Sequence, residues 1–249
     1  MLTLFSVPKP FIGAIATIQR RAVASWCELD IQVVLLGDEE GVADAARELG
    51  AEHVPGLERT PHGTPRLDSA FALANGVARC PLRCFVNCDV ILGDDVLAAT
   101  RAVAGAASRF LLVGQTIENS RPRGAAALDW FVFPAENFGE IPPFAIGRAC
   151  FDNWLIWKGR QVGIVVDATR DVRAVHLAHG YEHVAGGMDE AYYGEEAARN
   201  LELAGGKSRL YTLHDASHVL RDGELRRNYG APLRWRENVR KLAWKAGRR

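Results

Sequence analysis

The stretch Cys84-Phe85-Val86-Asn87-Cys88-Asp89-Val90-Ile91-Leu92-Gly93-Asp94-Asp95 decides the reading of this chain. Residues 84–88 have the length and apolar character of a buried strand, and Asp89 arrives as the strand ends. In open α/β sheets, ligands bind beyond the carboxyl ends of the strands. A carboxylate placed there is a hard oxygen ligand suited to Mg²⁺ or Mn²⁺ carrying a phosphate. A strand followed by a plain polar turn is the simpler alternative. Asp94 and Asp95 suit the start of the next helix, where acidic side chains meet the positive end of the dipole.

Outward from this stretch, strands and helices alternate. Residues 2–7, 31–36 and 52–54 read as strands, and residues 14–29 and 42–49 as helices, the latter capped by Gly50. A Pro/Gly-rich loop over 55–66 precedes a helix at 67–78. Further on, 96–107 reads as a helix, 110–113, 128–133 and 162–167 as strands, and 189–204 as partly helical. This alternation predicts an α/β fold: an open, mostly parallel mixed sheet flanked by helices. Neither a Gly-x-Gly-x-x-Gly run nor a Gly-Lys-Ser/Thr phosphate loop follows the first strand.

The 249 residues, 48% of them hydrophobic, suffice for one substantial core with at most a small appendage. Thirty basic and thirty acidic residues cancel, so no global nucleic-acid footprint exists. Five cysteines are an odd number, and the 80/84/88 spacing suits neither a zinc knuckle nor a redox pair. Cys84 and Cys88 read as small hydrophobes, and a reducing cytoplasm is the expected compartment. No apolar run has transmembrane length, and the N-terminus lacks the basic and long apolar regions of a signal peptide. Residues 234–249 carry seven Lys/Arg among Trp235, Val239, Leu242 and Trp244. They suit either a basic helix on an anionic membrane surface or a packed C-terminal helix with a frayed end.

Asn87-Cys88-Asp89 resembles the reduced Asp-x-Asp region of nucleotide-sugar glycosyltransferases with the GT-A fold, of a bacterial, family 2-like kind. The opening strand with Pro8-Lys9-Pro10-Phe11 and the strand end Leu35-Leu36-Gly37-Asp38-Glu39 are similar to that group as well. The resemblance implies that Ser6, Val7 and Pro8 line the base and that Asp38 or Glu39 meets base or ribose. It also places Arg66, near the start of a helix, beside the diphosphate. An Ile146-Gly147-Arg148 run followed by Asp152-Asn153-Trp154-Leu155 is the more specific match. It implies that Asp152 binds the acceptor and acts as general base, whereas an ordinary helix cap is the bland reading. His176-Leu177-Ala178-His179-Gly180-Tyr181-Glu182-His183 holds three of only seven histidines. By resemblance, a late histidine completes a Mn²⁺ or Mg²⁺ site begun by Asp89, which points to His176 and His179. Asn87 stands where the family has a carboxylate, which weakens the case for a metal.

Trp130, Phe144 and Trp154 offer a sugar-stacking platform or, more plainly, core residues. Arg121 and Arg123 read as a surface loop. Ser217 lies beside His214, Asp215 and His218, but no Gly-x-Ser-x-Gly elbow supports a hydrolase. The expected organisation is a nucleotide-sugar-binding half at 1–115, an acceptor-side and metal-completing half at 116–233, and a tail at 234–249. The expected function is glycosyl transfer from a nucleotide-diphosphate sugar to a saccharide or lipid-linked hydroxyl acceptor, as in polysaccharide synthesis. A non-catalytic nucleotide-sugar-binding protein and a sugar-1-phosphate nucleotidyltransferase are the alternatives. The latter lacks its Gly-rich loop after strand one.

Overall fold

The computed structural model describes residues 1–180 and 186–229. Tyr181, His183 and the basic tail with its expected membrane-surface helix lie outside these residues. In chain order the elements are β1 (Leu2–Ser6), α1 (Gly13–Cys27), β2 (Gln32–Leu36), α2 (Val42–Leu49), β3 (Glu52–Val54), α3 (Leu67–Val77), β4 (Leu82–Val86) and β5 (Val90–Ile91). Then come α4 (Asp95–Ala106), β6 (Phe110–Val113), β7 (Thr116–Glu118), β8 (Arg121–Pro122), β9 (Trp130–Pro134) and α5 (Phe151–Val162). The last are β10 (Ile164–Asp167), β11 (Ala174–His176), α6 (Gly187–Tyr193), α7 (Glu195–Leu203), β12 (His218–Arg221) and β13 (Glu224–Arg227).

Among the described residues the main sheet has nine strands in the order β13-β12-β10-β6-β9-β4-β1-β2-β3. Its pairs are parallel except around β9, which runs antiparallel to β4 and β6, and at the β12–β13 hairpin. Side chains alternate between two packed faces, as strand geometry requires. Leu4, Cys84, Val86, Trp130 and Val132 join Trp26 on one face. Phe5, Phe85, Phe131 and Phe133 join Phe71 and Trp154 on the other. Phe71 anchors that second face, 5.2 Å from Phe5 edge-on and 5.2 Å from Phe133 in a stack. Helix α5 lies close to the sheet because Gly159 has no side chain. A Cβ there would come within 2.9 Å of Leu111.

A second sheet of four strands, β5-β11-β7-β8, stands apart from the first. The single GT-A-like sheet expected from the sequence is therefore corrected to two distinct sheets. The physical reason is length. The four strands of the second sheet span only two or three residues each, too short for a two-residue period to show. The aromatic platform is corrected too: Trp130, Phe144 and Trp154 are all buried and belong to the core. Among the described residues, no helix is long and apolar enough to cross a membrane.

Candidate active site at the carboxyl edge of the sheet

The second sheet accounts for how residues 90 positions apart meet. Asp89 lies three residues beyond the end of β4 and leads directly into β5. Strand β11 pairs antiparallel with β5, which sets His176 opposite Val90, and the Leu177 N–H donates to the Asp89 carbonyl at 2.8 Å. Strand β7 lies parallel on the other side of β11, in a register that carries Glu118 alongside His176. His179 follows in the loop beyond.

One ligand atom each from Asp89, His176 and His179 lies within 4.8 Å of the others. His176 Nδ1 is 2.7 Å from Glu118 Oε2, and His179 Nδ1 is 2.6 Å from the Gly180 carbonyl oxygen. Both partners are acceptors, so each Nδ1 carries a hydrogen and donates it; without an ion His179 also donates from Nε2 to Asp89 Oδ2, and a metal would take that proton's place. The Nε2 atoms are thereby turned toward the carboxylate. His179 Nε2 is 2.8 Å from Asp89 Oδ2, and His176 Nε2 is 3.8 Å from Oδ1. An acceptor behind each imidazole, fixing its tautomer and aiming its Nε2, is how proteins support histidines at metals. Among the described residues, the buried Asp89 Oδ1 has no hydrogen-bond partner, an arrangement that is costly unless a cation completes it. By donor chemistry and by this orphaned oxygen, the three residues fit a divalent ion.

Burial alone would push the Asp89 carboxyl up. The His179 hydrogen bond and the charges of Lys9, His176 and His179 outweigh it and hold Asp89 well below the usual carboxylate range. The same hydrogen bond raises His179, against the opposing effect of burial. Lys9, in the loop after β1, completes the cluster. Its Nζ is 3.2 Å from Asp89 Oδ2 and 3.1 Å from His179 Nε2.

A second acidic centre stands beside the first. Asp129, just ahead of β9, accepts hydrogen bonds from Asn87 Nδ2 at 3.1 Å, Thr116 Oγ1 at 2.7 Å and Arg123 at 2.6 Å. Asn87 is thus an amide with a reason: a carboxylate there would face Asp129. Arg123 turns inward to this partner and does not form the surface loop its sequence suggested. Asp152, the second residue of α5, is near enough to Asp129 to feel its charge. Desolvation is the main cause and Asp129 a lesser one, and together they raise the Asp152 carboxyl to about 7. Asp152 is not the cap of its helix. That place belongs to Cys150, whose φ of 91° is a left-handed conformation that non-glycine residues hold only at a cost.

The other candidates are engaged as follows. The buried Ser6 hydroxyl donates to the Val86 carbonyl at 2.6 Å and ties the ends of β1 and β4 together. Val7 is partly exposed and Pro8 buried in the same loop. Asp38, beyond β2, is exposed and accepts from the Gly56 N–H at 2.9 Å. The Arg66 guanidinium is held between Glu58 at 2.7 Å and Asp68 at 2.5 Å. Lys9, Glu118 and Asp129 were missed in the sequence. Asp129 did show there as the one acid in an apolar run, a signal of a satisfied buried charge.

No protein-family model matches the chain, and no curated protein sequence matches it. Solved structures do share its fold. S. aureus TarS 1-349 in complex with UDP-GlcNAc matches with a TM-score of 0.57 and 14% identity, over 82% of this chain and 65% of that one. Glucosyl-3-phosphoglycerate synthase from Mycobacterium tuberculosis, in complex with Mn²⁺, UDP and phosphoglyceric acid, matches with a TM-score of 0.55 and 10% identity. That match covers 83% of this chain and 79% of the synthase. The chain spans 60–65% of the length of two of the TarS 1-349 chains it matches. The GT-A, family 2-like membership expected from the sequence does not stand. Two sheets replace the one it implied.

Proposed function

We propose that the chain transfers a sugar from a nucleotide-diphosphate donor to a hydroxyl acceptor. The observation that carries this reading is the Asp89 cluster: two imidazoles, each backed by an acceptor, aim Nε2 at a carboxylate whose other oxygen lacks a partner among the described residues. It lies at the carboxyl edge of the sheet, where α/β folds bind nucleotides. The fold-sharing TarS structure holds UDP-GlcNAc and the fold-sharing synthase holds Mn²⁺ with UDP, which supports the same class of ligand here.

In this reading Asp89, His176 and His179 hold Mn²⁺ or Mg²⁺. The bound ion offsets charge on the diphosphate leaving group. Glu118 fixes His176. Ser6, Val7, Pro8 and Asp38 border the nucleoside side, beyond β1 and β2. Asp152 takes the proton from the acceptor hydroxyl, and its carboxyl at about 7 suits a base that works near neutrality. Attack by that hydroxyl inverts the anomeric centre. The acceptor is a saccharide or a lipid-linked saccharide on the cytoplasmic side. Arg66 is the weakest member of the set, because Glu58 and Asp68 already neutralise it.

The test is a binding screen of nucleoside diphosphate sugars with and without Mn²⁺, followed by turnover of the best donor. Mn²⁺-dependent binding and release of nucleoside diphosphate are expected. Binding of no donor in either condition would overturn the reading.

A further inference from the structure

Lys9 is the fourth side chain at the Asp89 cluster and cannot be a ligand, because an ammonium has three donors and no lone pair. Its Nζ caps both Asp89 Oδ2, at 3.2 Å, and His179 Nε2, at 3.1 Å. Those two atoms are themselves 2.8 Å apart. The backbone beneath Lys9 is fixed. Its N–H donates to Gln19 Oε1 at 2.7 Å, and Gln19 Nε2 donates back to the Lys9 carbonyl at 2.9 Å. Gln19 is fully buried on α1, and Pro8 and Pro10 lock φ on either side of Lys9. A flexible cationic chain on a rigid base thus occupies the space in front of the oxygen and nitrogen atoms that a divalent ion would bind.

We infer that Lys9 is a resident cation of this site, displaced when a divalent ion enters and then free to bind the diphosphate. The inference rests on the metal reading above and deepens it. The ammonium and the ion compete for Asp89 Oδ2 and for the space in front of His179 Nε2. Two cations held so close in a largely buried site also repel strongly. Once displaced, the chain remains tethered after β1, on the edge where the diphosphate is proposed to lie. A lysine serves phosphate well there as a point charge. Lys9 therefore opposes the ion when the site holds no nucleotide and supports the anion once the ion is in place.

Calorimetric titration of the full chain with Mn²⁺, without nucleotide, tests this on wild type, Lys9→Met and Lys9→Gln. Thermal melts followed by circular dichroism establish that each variant is folded. Using two variants guards against one that fails to fold. Both should bind Mn²⁺ about 10-fold tighter than wild type, and Mn²⁺ binding seen only in the variants would support the inference further. With Mn²⁺ saturating, both should bind uridine diphosphate about 10-fold more weakly. Unchanged or weaker Mn²⁺ binding in folded variants overturns the displacement while leaving the metal site intact. Mn²⁺ binding by none of the three proteins overturns both the displacement and the metal site. Unchanged uridine diphosphate binding overturns the phosphate role.

Discussion

Replacing Asp152 by Asn should stabilise the protein above neutrality while disabling transfer. The Asp152 carboxyl stands at about 7 in the folded chain against an ordinary 3.8. At 1.36 kcal/mol per pKa unit, that difference corresponds to about 4 kcal/mol. The sign follows from proton counts. Below about pH 4 both states are protonated and nothing is lost. Between about pH 4 and 7 the unfolded chain ionises while the folded chain keeps its proton, so stability falls as pH rises. Above about 7 the cost is present in full. Asparagine has no proton to lose and can still accept the 2.9 Å hydrogen bond from the Asn153 N–H. Urea unfolding of both proteins from pH 3 to 8.5 cancels contributions common to the two. The expected result is near equality at the acid end and an advantage for Asp152→Asn of roughly 2–4 kcal/mol at pH 8. Transfer should fall by roughly 10²-fold or more, with donor affinity kept within a few fold. A stability difference that does not change with pH, or one that favours wild type at pH 8, would refute the reasoning. Unchanged turnover would return Asp152 to a structural role.

Two further outcomes are expected. Glu118→Ala removes the acceptor behind His176 and should weaken Mn²⁺ binding roughly 10–100-fold, as read by calorimetry, with little change in melting temperature. Asn87→Asp replaces a donor to Asp129 with a second carboxylate and should cost roughly 1–3 kcal/mol in urea unfolding at pH 8. A fully stable variant at pH 8 would mean that the Asn87–Asp129 bond carries no weight.

Local signals made much of the main sheet legible. The helix at Val42–Leu49 is set by its apolar spacing and stopped by Gly50 in the left-handed conformation, and both features are visible in the sequence. Strand β2 is an apolar run bounded by polar turns and falls where that run predicts, whereas β4 lies two residues earlier than the 84–88 run suggests. The second sheet was not legible, because its two- and three-residue strands are held by pairing with distant partners and not by their own pattern. That sheet is also what gathers Asp89, His176 and Glu118. The individual histidines could therefore be singled out, but the support of Glu118 for His176 could not. Lys9 escaped notice because a lysine between two prolines reads as a solvated loop. Its aim depends on Gln19, ten residues on. The reverse error occurred at Trp130, Phe144 and Trp154, where residue type suggested a platform and burial at 0%, 0% and 4% exposure makes a core.

The central claim is that Asp89, His176 and His179 act as one divalent-ion site. Mn²⁺ titration calorimetry of wild type, Asp89→Ala, His179→Ala and the double variant tests it most directly. Groups that share one ligand lose their contribution together, so each single variant should weaken binding and the double should be little worse than the weaker single. Losses that simply add, or Mn²⁺ binding untouched by either substitution, would contradict the shared site.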